Sequence, residues 1–447
     1  MRFRLPPPFM LLLGAVAVAA IATWIVPSGE YDRRDDAATG RRVVVAGTYH
    51  PVPSSPVSAF AAAVAVPRGF IDAADVIVVV LICGGAWVIV DRLGTLMRAV
   101  GQAAWRFRHN GLLLVPIVST LFATMGALEN MQEEIIPLVP VMLLLGRGVG
   151  VDGVTVVAMS AGAAIVGSAF GPVNPFQAGI AMKLAQLPAS SGFALRSVMF
   201  AVALVLWVAW TLVYARRTRT EATVTAESTA PPAFTGVDVL VLLSVLVPMA
   251  AYVYGSLHGS WGFLELGAAF LIGGCLAGVI GGLGVAGTSA TFLEGMQSML
   301  PASMLIGVAR SISVVLADGK IIDSLLHGLA SPLEHVPAVV SALLMIPFHN
   351  LVHIPVPSVS GQAVLTMPVL VPLSDLLQMS RQVPVLAYQT GAGMMEALTP
   401  TNGALMAVLM AAKVPYGSWL RFAIVGWVLC TAVGIAGIVA VLWGMAG

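Results

Sequence analysis

Long apolar segments recur along almost the whole of this sequence, and they limit the fold more than any other feature does. Hydrophobic residues make up 58% of the 447 residues and charged residues only 10%, so the chain cannot present an ordinary water-facing surface. Helices are the structures that satisfy every backbone polar group within one apolar segment in a bilayer. We therefore predict an all-α, polytopic membrane protein whose main surroundings are a lipid bilayer.

The apolar segments differ in length, and the short ones fall at particular places. The segments lie at 8–27, 72–91, 110–128, 135–149, 151–170, 177–187, 193–214, 236–254, 262–283, 301–317, 336–354, 363–377, 383–398, 403–414 and 418–445. Several are shorter than the roughly 20 residues that a spanning helix needs. Polar interruptions come in pairs, around 129–134 and 171–176 and again around 355–362 and 399–402. This pattern is typical of re-entrant hairpins and broken helices that line an internal site.

The charged residues indicate how the chain is placed in the membrane. A net charge of +1 argues against a nucleic-acid partner. The positive-inside rule puts the Arg and Lys clusters in the cytoplasm, so we predict a cytoplasmic N-terminus and an outside loop at 28–71. The polar stretch 215–235 then links a first transmembrane repeat, 1–214, to a second, 236–447. The clusters are Arg2 and Arg4; Arg92, Arg98, Arg106 and Arg108; Arg216, Arg217 and Arg219; and Lys413 and Arg421.

The cysteines and the N-terminus indicate neither a disulfide or zinc site nor a cleaved signal peptide. Cys83, Cys275 and Cys430 each lie in an apolar run far from the others, which argues against disulfides and a zinc site. The N-terminus begins like a signal peptide, but its apolar part is long enough to span a bilayer. We therefore predict an uncleaved first helix.

Two stretches of the sequence repeat at a fixed distance. "GSAFGPVNPFQAGIAM" at 167–182 and "MEALTPTNGALMAVLM" at 395–410 share a proline and an asparagine at one shift, since 400 − 172 = 228 and 402 − 174 = 228. The same shift pairs Pro140 with Pro368, since 368 − 140 = 228. With the linker inside, the second copy enters from the opposite face. We predict two inverted-topology repeats, each with a re-entrant hairpin and a broken helix.

Each break offers ligands near the middle of the membrane, where secondary transporters bind their solutes. The freed backbone groups and the polar side chains could hold a solute, or a sodium ion near Asn174 and Asn402. The alternative is that Pro172 and Pro400 only kink packed helices, as proline commonly does. The candidate ligands at the breaks are Pro172, Asn174, Glu396, Thr399, Thr401 and Asn402.

The upstream pair of interruptions reads as two hairpin tips. Glu133 and Glu134 are adjacent carboxylates, which are costly at membrane depth and therefore indicate function there. They could exchange a proton, share a cation or pair with a cationic amino acid. The alternative is an ordinary loop in water. The candidate ligands are Asn130, Glu133 and Glu134 at the first tip and Ser358, Ser360, Gly361 and Gln362 at the second.

Two further features have more than one interpretation. Arg310 lies near the middle of the 301–317 segment, so we expect it to face the protein interior and a partner. It could hold a substrate carboxylate or form an ion pair with Glu129, Glu133, Glu134 or Glu396. His349 and His353 have the spacing of zinc ligands on one helical face, but Asn350 between them replaces a catalytic Glu, which favours packing or a polar lining.

Several motifs together resemble one known family. They are "GG" at 84–85, "QEEIIPLVPVML", "GPVNPFQAGIA", "GVARSISVVLADGKIIDSLLHGL" at 307–329, "IPVPSVSGQAVLTMPVLVPLSDLL" at 354–377 and "LTPTNGALMAVLMAAKVPYGSWLRF" at 398–422. They are similar to the YfcC group of the C4-dicarboxylate anaerobic carrier (DcuC-type) family, within the ion transporter superfamily, over nearly the whole chain. "SGQAVLTMPVLVPL" and "TPTNG" are the most specific of them.

The resemblance implies inverted repeats, a homodimer and an elevator-like transport motion in a bacterial inner membrane. By position, Glu133 and Glu134 match the family's paired acids, Asn174 and the pair Thr401–Asn402 the broken helices, and 360–362 the second tip. One departure is clear. Gly391-Ala392-Gly393 lacks the acid that relatives often carry there, and Glu396 appears instead. This departure leaves the coupling ion and the charge of the substrate open.

The sequence therefore predicts a secondary active transporter, and two other classes rank below it. The expected substrate is a small carboxylate-bearing solute, a C4-dicarboxylate or an amino acid, with a basic amino-acid exchanger as the alternative. No cofactor is expected beyond a coupling sodium ion or proton. An ion channel ranks second and an intramembrane enzyme third. "GLGVAGT" at 282–288 lacks the lysine of a phosphate loop, and we find no nucleophile elbow.

Overall fold

The computed structural model describes residues 7–36, 41–107, 110–172, 174–188, 191–221, 232–258, 261 and 263–444. Helices dominate both halves, as the sequence predicts. In the first half they are α1 (Pro8–Ile25), α2 (Ala59–Asp72), α3 (Ala74–Arg92), α4 (Thr95–Arg106), α5 (Leu114–Glu129), α6 (Val139–Val149), α7 (Gly153–Val157), α8 (Ala163–Phe170), α9 (Ile180–Leu184) and α10 (Phe193–Arg217).

The second half contains α11 (Gly236–His258), α12 (Phe263–Ile280), α13 (Gly284–Asp318), α14 (Ile322–Ala330), α15 (Ala338–His353), α16 (Val359–Leu376), α17 (Gln382–Met395), α18 (Gly403–Ala411) and α19 (Tyr416–Leu442). Short 3₁₀ turns cover Gly111–Leu113, Glu133–Leu138 and Ser331–His335, and π-helical turns cover Ala158–Gly162 and Pro175–Gly179. The described part of the chain has six helical stretches long and apolar enough to cross a membrane, and a seventh if the bent α13 counts as one span.

Helices α1–α3 and α11–α13 pack together, and we call this group the frame. Helix α3 lies against both α12 and α13. The glycine pair at 84–85 makes the crossing with α13 close, because a Cβ on Gly295 would lie 2.5 Å from the Gly84 carbonyl oxygen. Small residues at such crossings let membrane helices approach, and packing then stabilises the pair.

The second group, α5–α10 with α15–α19, carries both breaks, and we call it the core group. Helix α5 lies against α8 through two glycines. A Cβ on Gly126 would lie 2.0 Å from the Ala164 carbonyl oxygen, and one on Gly167 would lie 1.9 Å from the Ala123 carbonyl oxygen. This close packing holds the end of α5 beside the break that follows α8.

The order of elements in the first half recurs in the second. Helices α5 and α6 with their tip correspond to α15 and α16, the 153–170 stretch to α17, α9 to α18, and α10 to α19. A helix, a break of a few residues and a short helix therefore occur twice near the predicted shift of 228. The inverted orientation of the two copies stays a prediction, as do the domain limits. Much of the predicted linker, 222–231, lies outside the described residues.

The 28–71 segment is not the plain loop that the sequence predicts. It forms strands β1 (Gly29–Glu30) and β4 (His50–Pro51), which pair antiparallel, strands β2 (Arg33–Asp36) and β3 (Arg41–Val44), which also pair antiparallel, and most of α2. We call the β1–β4 segment, 29–51, the ribbon. It lies against α14 and α16, where Asp323 accepts from the Tyr31 backbone N–H at 2.9 Å and from Arg33 Nη2 at 2.9 Å. Strands this short show no clear alternation of apolar residues.

Candidate functional site

The two breaks are capped in the same way. In the first, the Asn174 Oδ1 accepts from the Gln177 backbone N–H at 2.8 Å. In the second, the Asn402 Oδ1 accepts from the Leu405 backbone N–H at 3.1 Å. Each asparagine therefore bonds the N–H three residues ahead, which satisfies a donor that the start of a helix leaves free. The matched asparagines therefore have equivalent caps, and both are buried.

Each break is also tied to the upstream helix of its own half. Gly126, near the end of α5, has a carbonyl oxygen that accepts from Asn174 Nδ2 at 2.8 Å and from Ser168 Oγ at 3.1 Å. Ile354, just after α15, has a carbonyl oxygen that accepts from Thr401 Oγ1 at 2.8 Å. Thr399 lies 2.7 Å from Thr401 through their hydroxyl oxygens. Side chains at both breaks thus bond carbonyl groups at a helix end, and the Gly126 carbonyl oxygen also accepts from the Asn130 backbone N–H at 2.9 Å.

Glu396 lies at the centre of a buried polar cluster in the second half. Its side chain is 5% exposed, and its Oε1 lies 3.0 Å from His353 Nε2. Its other oxygen, Oε2, accepts from Asn402 Nδ2, which also lies 3.4 Å from Gln132 Oε1. The asparagine therefore joins the second break to the first tip.

The cluster continues along the second hairpin. His353 Nδ1 lies 2.8 Å from Gln362 Oε1, and Gln362 Nε2 lies 2.9 Å from the His349 carbonyl oxygen and 3.2 Å from His349 Nδ1. All three side chains are fully buried. Together with Glu396, Asn402 and Gln132 they form one continuous set of polar contacts, which we call the polar chain. The network is not fully satisfied, because His349 Nε2 and His353 Nε2 have no hydrogen-bond partner among the described residues, although the latter lies 3.0 Å from Glu396.

The first tip brings two more carboxylates to the end of the polar chain. The Gln132 backbone N–H donates to Glu134 Oε2 at 3.0 Å, and the Gln132 side chain lies beside Asn402, which holds Glu396. The 3₁₀ turn that carries both acids packs against α3 and α18, so the tip lies between the frame and the core group. Three carboxylates therefore converge near the place where the two halves meet.

Arg310 does not join this site, which corrects the prediction. Its guanidinium donates to Asp72 of α2, outside the four predicted partners, and its side chain is 43% exposed. The 301–317 segment is the second part of α13, and the arginine faces outward from it. Among the described residues, the ion pairs formed by Arg and Lys do not include Glu133, Glu134 or Glu396.

The remaining predicted ligands have more varied surroundings. Asn130 ends α5 in a left-handed conformation with φ of 58°, and its buried Oδ1 has no hydrogen-bond partner in the described part of the chain. Pro172 is half-buried within the first break. Ser358 caps α16 by accepting from the Gly361 backbone N–H at 3.3 Å, and Ser360 lies in the same turn. Only Gln362 of the second tip enters the polar chain.

The sequence did not identify some members of the site as candidate ligands. Gln132 lies between the predicted ligands Asn130 and Glu133, and an amide beside two acids has no sequence signal of its own. His349 and His353 were expected as packing or a polar lining, and the structure places them in the polar chain. Gln177 is buried at the first break with both amide atoms unbonded to other described residues, a feature without a sequence signal. No group of three or more His, Cys, Asp or Glu side chains suited to a metal occurs among the described residues.

Two solved transporter structures resemble the overall arrangement distantly. The YdaH transporter of Alcanivorax borkumensis is 16% identical, with a TM-score of 0.45, and the match covers 99% of each chain. MtrF of Neisseria gonorrhoeae, described as one of a class of antimetabolite efflux pumps, is 15% identical, with a TM-score of 0.47, over 98% of this chain and 96% of that one.

Sequence relatives match over almost the whole length. A protein of Escherichia coli (strain K12) named "Putative basic amino acid antiporter YfcC" is 29% identical over 94% of this chain and 93% of its own. An uncharacterized protein of Haemophilus influenzae is 24% identical over the same shares of the two chains. The model of the C4-dicarboxylate anaerobic carrier family matches residues 5–443. This chain is therefore a membrane transporter, not an enzyme, and it belongs to the C4-dicarboxylate anaerobic carrier (DcuC) family.

Proposed function

We propose that this transporter is a secondary active carrier of a small amino acid with a cationic side chain. One observation carries the proposal: Glu133, Glu134 and Glu396 converge on one region, and the Arg and Lys ion pairs of the described residues lie elsewhere. Buried charges are costly unless they are paired, so this arrangement favours a ligand that brings positive charge. A guanidinium or an ammonium group would satisfy the carboxylates directly.

A C4-dicarboxylate suits the same region less well. It would add two negative charges to three carboxylates, and like charges at short distance repel. Arg310, the residue that could have held such a solute, is bound to Asp72 instead. Dicarboxylate transport would therefore need several protons or sodium ions at the acids. The name of the Escherichia coli relative, which refers to basic amino acids, agrees with the cationic solute.

The carboxylate of an amino acid needs donors of its own. The first turn of α16 lies next to the polar chain and offers the Ser360 hydroxyl and backbone N–H groups near a helix N-terminus, which favours anions. The solute would then lie between the acids of the first tip and the start of α16. Asn130, with its unbonded Oδ1, could accept from the α-amino group.

The wider arrangement is part of the same proposal. Two inverted repeats, 1–214 and 236–447, would place this region near the middle of a bacterial inner membrane, with the N-terminus in the cytoplasm and a homodimer as the working unit. The recurrence of the same elements near one shift supports the repeats. Alternating exposure of one site to the two sides then follows from the repeats, as in other transporters of this design. Sodium or protons remain the candidate coupling ions.

Uptake into liposomes tests the proposal. Purified protein is reconstituted with arginine inside, and uptake of labelled arginine, lysine, citrulline and succinate is compared. Citrulline is the matched control, because it has the shape of arginine without the charge. We expect saturable uptake of arginine and lysine and little uptake of the other two. Succinate uptake without arginine uptake would overturn the cationic solute, and currents beyond carrier turnover would indicate the channel.

A further inference from the structure

The side-chain amide of Gln177 is a buried polar group without a partner, and it lies in the turn that follows the first break. The side chain is fully buried, and neither Oε1 nor Nε2 has a hydrogen-bond partner among the described residues. A buried amide that stays unbonded costs free energy. The cap at the break uses only the backbone N–H of this residue, which donates to Asn174 Oδ1. The Gln177 amide therefore bonds no other described group in this structure and remains available to a ligand.

Gln389 of α17 has a second free amide atom beside it. Its Nε2 donates to the carbonyl oxygens of Ala169 at 3.2 Å and Gly171 at 3.4 Å, which fixes the nitrogen there because a carbonyl only accepts. Its Oε1 is buried and unbonded to other described residues. Ala169 also lies near Gln177, since a Cβ on Gly393 would lie 2.7 Å from Ala169 Cβ and 3.0 Å from Gln177 Nε2. Both amides therefore lie at the end of α8, where they offer one donor group and two acceptors.

The position of the amides along α17 relates them to the proposed solute site. Gln389, Gly393 and Glu396 have i, i+4 and i+7 spacing, and Glu396 keeps a helical conformation at the end of α17. They therefore lie on one face, with about 10 Å between the first and the last along the helix axis. The Gln177 amide lies against Gly393, where the absence of a side chain leaves room for it. The distance along this face is comparable with the length of an extended arginine molecule.

The start of α16 lies at the same end of this face as the amides. Tyr388 Oη donates to the Val359 carbonyl oxygen at 2.7 Å, which holds the first turn of α16 beside α17, next to Gln389. The turn Pro175–Gly179, which carries the free amide, packs against both α16 and α17. The donors proposed for the solute carboxylate and the two amides are therefore neighbours, and the Glu396 carboxylate lies further along α17.

We propose that Gln177 is a specificity-determining residue whose Nε2 donates to the α-carboxylate of the solute, an inference that rests on the proposed cationic solute. The side-chain cation of the solute pairs with the acids, and the α-ammonium group has Gln389 Oε1 as an acceptor besides Asn130. Neutral amides bind both α groups without a charge that would compete with the carboxylates. Asn174 keeps its bonds at the break, and only the turn beyond the break contacts the solute. The carrier therefore selects amino acids over amines that lack the α-carboxylate.

Binding of arginine and agmatine tests this selectivity. Agmatine is the matched ligand, because it keeps the guanidinium and amino groups of arginine and lacks the carboxylate. Dissociation constants are measured by isothermal titration calorimetry on the purified wild-type protein and on Gln177→Met, whose side chain has a similar length and no amide. We expect wild type to bind arginine more tightly than agmatine. Gln177→Met should lose about ten-fold or more of its arginine affinity, as expected for a hydrogen bond to a charged group, and keep its agmatine affinity.

Thermal unfolding of the same samples separates binding from structural support. Gln177→Met should unfold at or above the wild-type temperature, because it removes buried polar atoms that have no partner. Gln382→Met is the control, at a buried glutamine of α17 that donates to Ser191 Oγ at 2.6 Å, and it should leave the preference for arginine unchanged. If Gln177→Met does not fold, Gln177→Asn, which withdraws the amide by one carbon, replaces it with the same expectation.

The possible results distinguish this assignment from the proposed function. An unchanged preference for arginine in the Gln177 variant, or equal weakening of arginine and agmatine, would overturn the role of Gln177 and leave the cationic carrier intact. Wild-type protein that binds the two ligands equally well would overturn it too. Wild-type protein that neither binds nor takes up arginine would overturn the proposed function itself.

Discussion

The two breaks share their geometry but not their charge. Both have an asparagine that caps the following helix, and both are tied to the end of an upstream helix. The difference lies three residues before each break, where the shift of 228 pairs Ser168 with Glu396, since 396 − 168 = 228. The serine donates to the Gly126 carbonyl oxygen, whereas the glutamate binds His353 and Asn402. The equivalent turn therefore carries a neutral side chain in the first half and a carboxylate in the second.

We therefore expect the first break to support the structure and the second to bind the ligand. At the neutral break, Asn174 and Ser168 bond the end of α5, and Gln389 of α17 donates to the Gly171 carbonyl oxygen at 3.4 Å, so we expect this break to contribute mainly to stability. A charged break that reaches across to Gln132 of the first tip couples the two halves. Substitutions at equivalent positions should therefore have different consequences.

The largest difference is expected for Glu396→Gln. The amide keeps the size of the side chain but removes the charge that would bind a cationic solute. We expect arginine uptake to be lost, with a melting temperature close to that of wild type, because removing a buried charge also removes its desolvation cost. Uptake and thermal unfolding are measured on the same preparation. Glu294→Gln, at a carboxylate 59% exposed, is the control. Normal uptake by Glu396→Gln would show that the two breaks do not differ in function.

The paired asparagine variants should separate the two roles. Asn402→Ala leaves Glu396 Oε2 without its donor, so we expect a strong loss of transport. Asn174→Ala removes a cap and a bond to Gly126, so we expect it to act mainly on stability, by about 1–2 kcal/mol. Uptake, normalised to folded protein, and thermal unfolding distinguish them. Equal losses of transport in both variants would mean that the first break also binds the solute.

A smaller effect is expected for Ser168→Ala, the position matched to Glu396. The Gly126 carbonyl oxygen keeps the bond from Asn174, so only one neutral hydrogen bond is lost, at about 1 kcal/mol. Arginine affinity, measured by competition with labelled arginine, should remain unchanged. A raised half-saturation constant would indicate that Ser168 contributes to the site.

The smallest effect is expected at the arginine that the sequence placed in the interior. Arg310 and Asp72 are about half exposed, and such ion pairs contribute about 0–1 kcal/mol. Arg310→Ala should therefore keep both uptake and stability near wild type, and Asp72→Ala should match it. If Arg310→Ala alone abolished uptake, the arginine would have a role that its contact with Asp72 does not show.

Much of this architecture was predictable because hydrophobicity and proline position are local properties of the sequence. The helical class, the breaks at 171–174 and 399–402 and the pairing of Asn174 with Asn402 all follow from them. Residues that meet only through tertiary packing were harder to identify. Gln132 and His353 lie more than 200 residues apart, yet Asn402 and Glu396 connect them.

The orientation of Arg310 could not be predicted from the sequence around it. An apolar stretch around an arginine indicates depth in the membrane but not which way the residue points. The aspartate that receives it, Asp72, ends α2, whereas the sequence placed residue 72 at the start of the apolar segment 72–91. Orientation of a side chain about a helix depends on the neighbouring helices, and a single sequence does not specify them.

The ribbon has a mechanical consequence. Its two ends join α1 and α2, which belong to the frame, while its surface rests on α14 and α16, and Arg33 is fastened to Asp323. A displacement of α16 along the frame would have to carry the ribbon with it or detach it from α14. The number of residues between α1 and α2 therefore limits how far the second hairpin can move while the ribbon stays bound to it.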